Sequence, residues 1–152
     1  MTNAIFNRIL VPTDFSPQAG KAWVTARHLA RAVGAELVLL HVFVETLLYS
    51  ETPFSGERIR EAYSGARTWA ADQLEKLAAE ARADGITVKT LTRTGIPHDE
   101  IVATAREEAA DLITIATHGR GGLNRLILGS VCDRVIRLSP CPVLSIRASD
   151  TE

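Results

Sequence analysis

The chain has 152 residues, of which 46% are hydrophobic and 23% are charged. This is the size of one domain with a full core, and the formal net charge of -1 leaves no electrostatic footprint for a nucleic acid. No apolar run reaches the roughly 18 to 20 residues that span a bilayer, and the N-terminus has no signal-peptide pattern. We therefore predict one soluble, cytoplasmic domain over residues 1–152, with neither nucleic acid nor membrane as a partner.

Along the first third of the chain, strand-like and helix-like apolar periods alternate. A strand is predicted at Arg8–Thr13, followed by a helix that begins at Ser16-Pro17 and ends at Gly34. The second strand, Glu36–Val44, is almost continuously apolar, which is typical of a strand covered on both faces. Residues 45 to about 57 are predicted to form a loop.

The rest of the chain continues the alternation. It predicts a helix from about Arg58 to Ala83, a half-buried strand near the sheet edge at Ile86–Thr94, a helix at Pro97–Ala110, a strand at Asp111–Ala116, a helix at about Ser130–Leu138 and a strand at Cys141–Arg147. The order indicates an α/β fold, a doubly wound Rossmann-like sheet of five mainly parallel strands with helices on both faces. In such sheets ligands bind beyond the carboxyl ends of the strands, so the loops after Thr13 and Ala116 should face one crevice.

A glycine-rich loop, THGRGGLNRLILGS, joins the fourth strand to the last helix over residues 117–130. Its clustered glycines allow backbone N–H groups to approach a ligand closely, and the N-terminus of the following helix favours an anion. The pattern indicates a phosphate site with Ser130 as a further donor. An equally open alternative is that Ser130 caps the helix and the glycines form turns.

Five segments in order resemble the universal stress protein (UspA-like) family, and together they cover essentially the whole chain. They are ILVPTD at 9–14, LLHV at 39–42, GIPH at 95–98, the loop at 117–130 and SPCPVL at 139–144. The resemblance implies strand order 3-2-1-4-5 and a cytoplasmic homodimer. The short last strand, which ends the sheet, is the predicted dimer contact, because an open edge is a liability unless it is covered.

ATP-binding members of that family carry GxxG, nine residues, then Gly and Ser or Thr. Gly119 matches the second glycine and Gly129-Ser130 the closing pair, but Ala116 stands at the first glycine position. A Cβ there costs about 1 kcal/mol if the backbone needs a positive φ. The departure therefore either weakens ATP binding about tenfold or marks a member that does not bind ATP.

The resemblance implies a nucleotide site. No catalytic residue is predicted in it, and the scattered Cys and His give no metal-ligand spacing, so no metal held by the protein is predicted either. Asp14 resembles the acidic contact to the nucleoside, with a local role as acceptor for loop N–H groups as the alternative. Val42 matches the position whose backbone lies near adenine, and it is also expected in the core. Arg120 can pair with phosphate or be solvated, and His118 is expected to hold the loop more than to bind phosphate. The implied binding residues are Pro12, Thr13, Asp14, Val42, Ala116, His118, Gly119, Arg120, Gly122, Gly129 and Ser130.

Two functions follow from these observations. The first is an ATP-binding universal stress protein, with Mg2+ on the phosphates and a regulatory role in the stress response. The second is an interaction protein that uses the same scaffold without a nucleotide. An enzymatic function is disfavoured because the chain has no Walker lysine, and slow ATP hydrolysis is the most activity that we expect. His41, His98, Cys132 and Cys141 are predicted to be structural.

Overall fold

The structure, a computed structural model, describes residues 5–44, 56–119 and 128–147. In these ranges five strands alternate with four helices: β1 (Arg8–Pro12), α1 (Pro17–Val33), β2 (Glu36–Val44), α2 (Gly56–Ala83), β3 (Val88–Gly95), α3 (Pro97–Glu107), β4 (Leu112–Ala116), α4 (Ser130–Leu138) and β5 (Val143–Ile146). Every strand pair is parallel, and the order across the sheet is β3-β2-β1-β4-β5. The predicted fold and strand order are confirmed. Among the described helices, none is long and apolar enough to cross a membrane.

The core lies in two layers because successive side chains of a strand point to opposite faces of the sheet. On one face, Ile9 of β1 packs in a cluster with Trp23 of α1 and Leu74 of α2. On the other face, Leu10 shares a cluster with Ile101 of α3 and Val135 of α4. Helices cover both faces, which explains why the central strands are apolar without alternation.

Helix α1 begins and ends at the predicted signals. The Ser16 hydroxyl accepts a hydrogen bond of 3.1 Å from the N–H of Ala19, and Pro17 is the first helical residue. At the other end Gly34 has φ 75°, and its N–H donates to the carbonyl of Ala30 at 2.8 Å. Glycine adopts this left-handed conformation without steric cost.

Several predicted boundaries are wrong by two or three residues. Helix α3 ends at Glu107 rather than Ala110, because Ala109 has φ 51° and turns the chain toward β4. Strand β3 begins at Val88 rather than Ile86, since the N–H of Ile86 donates to Ala81 and closes the end of α2.

Smaller differences affect three further elements. Strand β5 is limited to Val143–Ile146, β4 begins one residue later than predicted, and α2 begins at Gly56. Most of the predicted loop after β2, residues 45–55, lies outside the described residues.

Candidate functional site

A cavity of about 400 Å³ opens where the carboxyl ends of β1 and β4 lie side by side. From β1 the chain proceeds to β2 on one side of the sheet, while β4 and β5 lie on the other side. This is the point where strand order reverses, the usual ligand position in such sheets. Its volume is within the range of small-molecule sites. The implied binding residues that line it are Pro12, Thr13, Asp14, Val42, Ala116, His118, Gly119, Gly129 and Ser130, whereas Arg120 and Gly122 lie outside the described residues.

Much of the cavity lining is apolar. This part is formed by Leu40, Val42 and Val44 of β2, together with Ile101 of α3 and Ile115 of β4. The contribution of α3 was missed in the sequence, where a helix was predicted at Pro97–Ala110 but Ile101 was not among the site residues. A mainly apolar lining with a few polar groups is typical of a small-molecule site.

The turn between β1 and α1 is held by its own side chains. The N–H of Phe15 donates to Thr13 Oγ1 at 3.1 Å, and the N–H of Ser16 donates to Asp14 Oδ1 at 2.9 Å. Asp14 therefore has the local role that was its alternative interpretation. Phe15 has φ 62°, a conformation that costs a non-glycine residue about 1–2 kcal/mol. The surrounding contacts must hold this turn in place.

Asp14 also contacts the loop after β4. A Cβ built on Gly119 would lie 2.5 Å from Asp14 Oδ2, so the carboxylate lies directly against the glycine backbone. No side chain can occupy position 119 unless Asp14 moves. The two loops of the cavity are packed against each other through this pair.

Gly129 has a similar reason to be glycine. Its N–H donates to the carbonyl of Thr117 at 2.8 Å, and a Cβ at position 129 would lie 2.6 Å from that oxygen. The clustered glycines of this loop were predicted to allow the close approach of a ligand. In the structure a side chain at position 129 would meet the main-chain carbonyl of Thr117, and one at position 119 would displace the Asp14 carboxylate, so both glycines also have a reason within the protein itself.

The N-terminus of α4 lies at the cavity. Gly129 is the N-cap and Ser130 is the first helical residue, so the alternative that Ser130 caps the helix is wrong. The first main-chain bond of the helix runs from the N–H of Asp133 to the carbonyl of Gly129, at 2.9 Å. The N–H groups of Ser130, Val131 and Cys132 precede that bond, and all three residues line the cavity. This end of the cavity is suited to an anion.

Ala116 does not carry the expected backbone strain. It is the last residue of β4 and pairs with Ile146 of β5. In the described part of the chain, Phe15 and Ala109 are the non-glycine residues with positive φ, and Ala116 is not among them. The departure from the family pattern therefore amounts to one methyl group beside the cavity.

Three further titratable residues lie at or beside the cavity. His118 Nδ1 lies 3.0 Å from Thr117 Oγ1, in agreement with a role in loop geometry. His98 lies 3.3 Å from Asp99 at the start of α3. Burial raises the pKa of the Cys132 thiol to about 11, and the neighbouring Asp133 carboxylate adds to the rise. A protonated, buried thiol is not a nucleophile.

The sequence model of the universal stress protein family matches residues 6–147 of the chain. A universal stress protein of Methanocaldococcus jannaschii is 30% identical, with 98% of this chain and 99% of that protein covered. The solved structure of universal stress protein UspA from Lactobacillus plantarum superimposes with a TM-score of 0.85 at 28% identity, covering 95% of this chain and all of that one.

Two further solved structures contain nucleotides. A universal stress protein in complex with cAMP has a TM-score of 0.69 at 25% identity, covering 95% of this chain and 98% of that one. A universal stress protein of Archaeoglobus fulgidus in complex with dAMP has a TM-score of 0.63 at 25% identity, covering 93% and 98%. The match over nearly all of the sequence, with the same fold, shows that the chain belongs to the universal stress protein family.

Proposed function

We propose that the chain binds an adenine nucleotide in the cavity at the carboxyl ends of β1 and β4. The observation that carries this proposal is the N-terminus of α4, whose first residues, Ser130 among them, line a cavity that is also lined by apolar side chains of β2, α3 and β4. Relatives of the same fold have been solved with cAMP and dAMP. The ligand we favour is ATP with Mg2+, because Gly119 and Gly129-Ser130 keep the spacing of the ATP-binding pattern.

Each part of the nucleotide has a matching part of the cavity. The adenine ring packs against Val42 and Ile101, whose side chains exclude water from its faces. Asp14 is beside the nucleoside, and its carboxylate can accept from ribose hydroxyls. The phosphates lie at the N-terminus of α4, where the helix dipole and Ser130 favour negative charge.

The proposed role is regulatory and does not depend on turnover. A bound nucleotide adds negative charge at the carboxyl ends of β1 and β4, and this difference between occupied and empty forms can change the choice of partner. We propose that the protein acts in the cytoplasm in the stress response, with hydrolysis slow at most.

A homodimer through β5 is part of the proposal. Leu144 of β5 is 36% exposed, and Ile136 and Leu138 of the adjacent α4 are 44% and 49% exposed. Among the described residues no strand pairs with the outer edge of β5, so its main-chain groups could pair with a second copy of the chain. Pairing with a second copy would cover this edge and the apolar side chains next to it.

Calorimetric titration with ATP and Mg2+, cAMP and dAMP tests the proposed ligand. We expect saturable binding of at least ATP, and about fivefold weaker binding by Ser130→Ala, since one hydrogen bond contributes about 1 kcal/mol. Ser64→Ala on the exposed surface of α2 is the matched control and should bind like wild type. If none of the three ligands binds, and denatured protein releases no nucleotide in mass spectrometry, the scaffold acts as an interaction protein instead.

A further inference from the structure

We propose that His41 is a positioning residue for the nucleotide site, and that it acts on the turn at residues 13–16 without contacting the ligand. The inference rests on the proposed nucleotide binding. Neither His41 nor Phe15 is among the residues that line the cavity, whereas Thr13 and Asp14 are. The role follows from how His41 is bonded to this turn.

His41 extends the pairing of β1 with β2 beyond the end of β1. The N–H of Thr13 donates to the carbonyl of Leu40 at 2.8 Å, and the carbonyl of Thr13 accepts from His41 Nδ1, also at 2.8 Å. Because a carbonyl oxygen only accepts, Nδ1 carries the proton in this bond. Both main-chain polar groups of Thr13 are thereby held by consecutive residues of β2.

The same imidazole also supports the strained residue of the turn. Its ring lies 4.6 Å from the ring of Phe15, which makes an edge-on contact of 5.1 Å with Trp69 of α2. Phe15 is thus packed between β2 and α2 while it has φ 62°. His41 holds one residue on each side of Asp14.

Asp14 is the part of this turn that faces the site. Its Oδ1 accepts from Ser16, and its Oδ2 lies against Gly119 of the opposite loop. If the carbonyl of Thr13 loses its donor, the turn can rotate and Asp14 moves relative to Gly119. We infer that the donor at Nδ1, more than the ring, sets nucleotide affinity.

Two substitutions at position 41 introduce side chains of nearly the same shape, and they distinguish the effect of the hydrogen-bond donor from the effect of packing. Asn at position 41 keeps an N–H donor close to the place of Nδ1, and Leu has none. We expect His41→Asn to bind ATP within about threefold of wild type and His41→Leu about tenfold more weakly, a loss typical of one buried hydrogen bond. Phe43→Leu is the packing control: Phe43 contacts the other side of His41, at 4.8 Å between ring centres, and should leave the affinity unchanged.

Calorimetry gives the dissociation constants, and thermal unfolding of the free variants gives their stability. A merely structural His41 would lower the melting temperature of both position-41 variants and leave their affinities equal to that of wild type. Equal ATP affinity of wild type, His41→Asn and His41→Leu would overturn the inference while the proposed function stands. Loss of affinity in both variants alike would also overturn it, because the donor would then not be the cause.

The failure of the proposed function would look different. If wild type itself binds none of the nucleotides, both proposals fail together. Should His41→Leu not fold, His41→Asp places an acceptor in the same position and is expected to show at least the tenfold loss. Trp69 fluorescence in a Trp23→Phe background reports the turn directly, because Trp69 contacts Phe15; it should change on ATP binding and differ between the Asn and Leu variants before ATP is added.

Discussion

At the scale of single residues, the glycines of this chain differ in what surrounds them. Gly65 lies inside α2 with open space at its Cβ position, whereas a Cβ on Gly129 would lie 2.6 Å from a main-chain carbonyl. The same residue type therefore has opposite consequences at the two positions. At Gly65 the missing side chain only costs conformational entropy, and at Gly129 it makes the loop possible.

We predict that Gly129→Ala destabilises the protein by about 1–3 kcal/mol, the usual cost of forcing extra volume into a packed site. Gly65→Ala should instead stabilise it by about 0.5–1 kcal/mol, since alanine favours an exposed helix. Urea unfolding of both variants measures the difference. An unchanged midpoint for Gly129→Ala would mean that the contact with Thr117 is not maintained in solution.

Cys132 gives a prediction about pH. Burial raises its pKa from 9.0 to about 11, so the folded chain keeps the thiol proton where the unfolded chain has lost it. Between pH 9 and 11 the unfolded state therefore binds fewer protons than the folded state. The contribution of the buried, protonated thiol to the unfolding free energy is lost as the pH rises through that window. The difference in stability between wild type and Cys132→Ala should shrink from pH 9 to 11, as followed by denaturant unfolding.

A matched control is Val135→Ala in the same helix, which removes a buried side chain but no titratable group. Its stability difference from wild type should stay constant over the same range. Fast alkylation of Cys132 in the native protein at pH 8 would contradict the prediction, because a protonated thiol reacts slowly.

At the scale of elements, the open edge of β5 can be assigned to particular residues. The carbonyls of Pro142 and Ile146 accept from Ile113 and Thr117, so alternate residues of this segment bond to the β4 side. The N–H of Ser145 belongs to the other set and faces away from β4. It is therefore a donor available to a second copy of the chain.

We predict that Ser145→Pro converts a homodimer to a folded monomer, because proline removes that outward donor and fits an edge strand. Ser145→Ala keeps the donor and should remain dimeric. Light scattering at tens of micromolar measures the mass of each variant. A monomeric wild type at that concentration would exclude the proposed dimer.

How much of this could be predicted from the sequence depends on the range of the interaction. Both ends of α1 were predicted correctly because the capping interactions of Ser16, Pro17 and Gly34 involve only residues a few positions away in sequence. Strand β2 was predicted because its burial on both faces leaves a continuous apolar run. The predicted end of α3 was wrong because Ala109 adopts φ 51° where the chain turns toward β4. The residues next to Ala109 in sequence give no signal for this turn.

The candidate site shows the same limit. The motif spacing indicated the loop residues, and the strand order indicated that they meet the turn after β1. The contact of Asp14 with Gly119 joins residues 105 positions apart, so no local pattern predicts it. His41 was predicted to be structural, but its hydrogen bond to Thr13 depends on the register of β1 against β2, which no local pattern gives.

At the scale of the whole molecule, the cavity exists only in the folded chain. Its lining residues come from β1, α1, β2, α3, β4 and α4, which are distant from one another in sequence. A ligand that binds there binds the native state and not the unfolded one, so it must stabilise the entire fold.

We therefore predict that saturating ATP with Mg2+ raises the melting temperature. A hundredfold excess over the dissociation constant corresponds to about 2.7 kcal/mol, and each kcal/mol shifts a chain of this size by roughly 2–4 °C. The expected rise is about 5–11 °C in scanning calorimetry. Adenosine, which lacks the phosphates that α4 would bind, should give a smaller rise at the same concentration. Equal shifts with ATP and adenosine would show that the N-terminus of α4 does not contribute to binding.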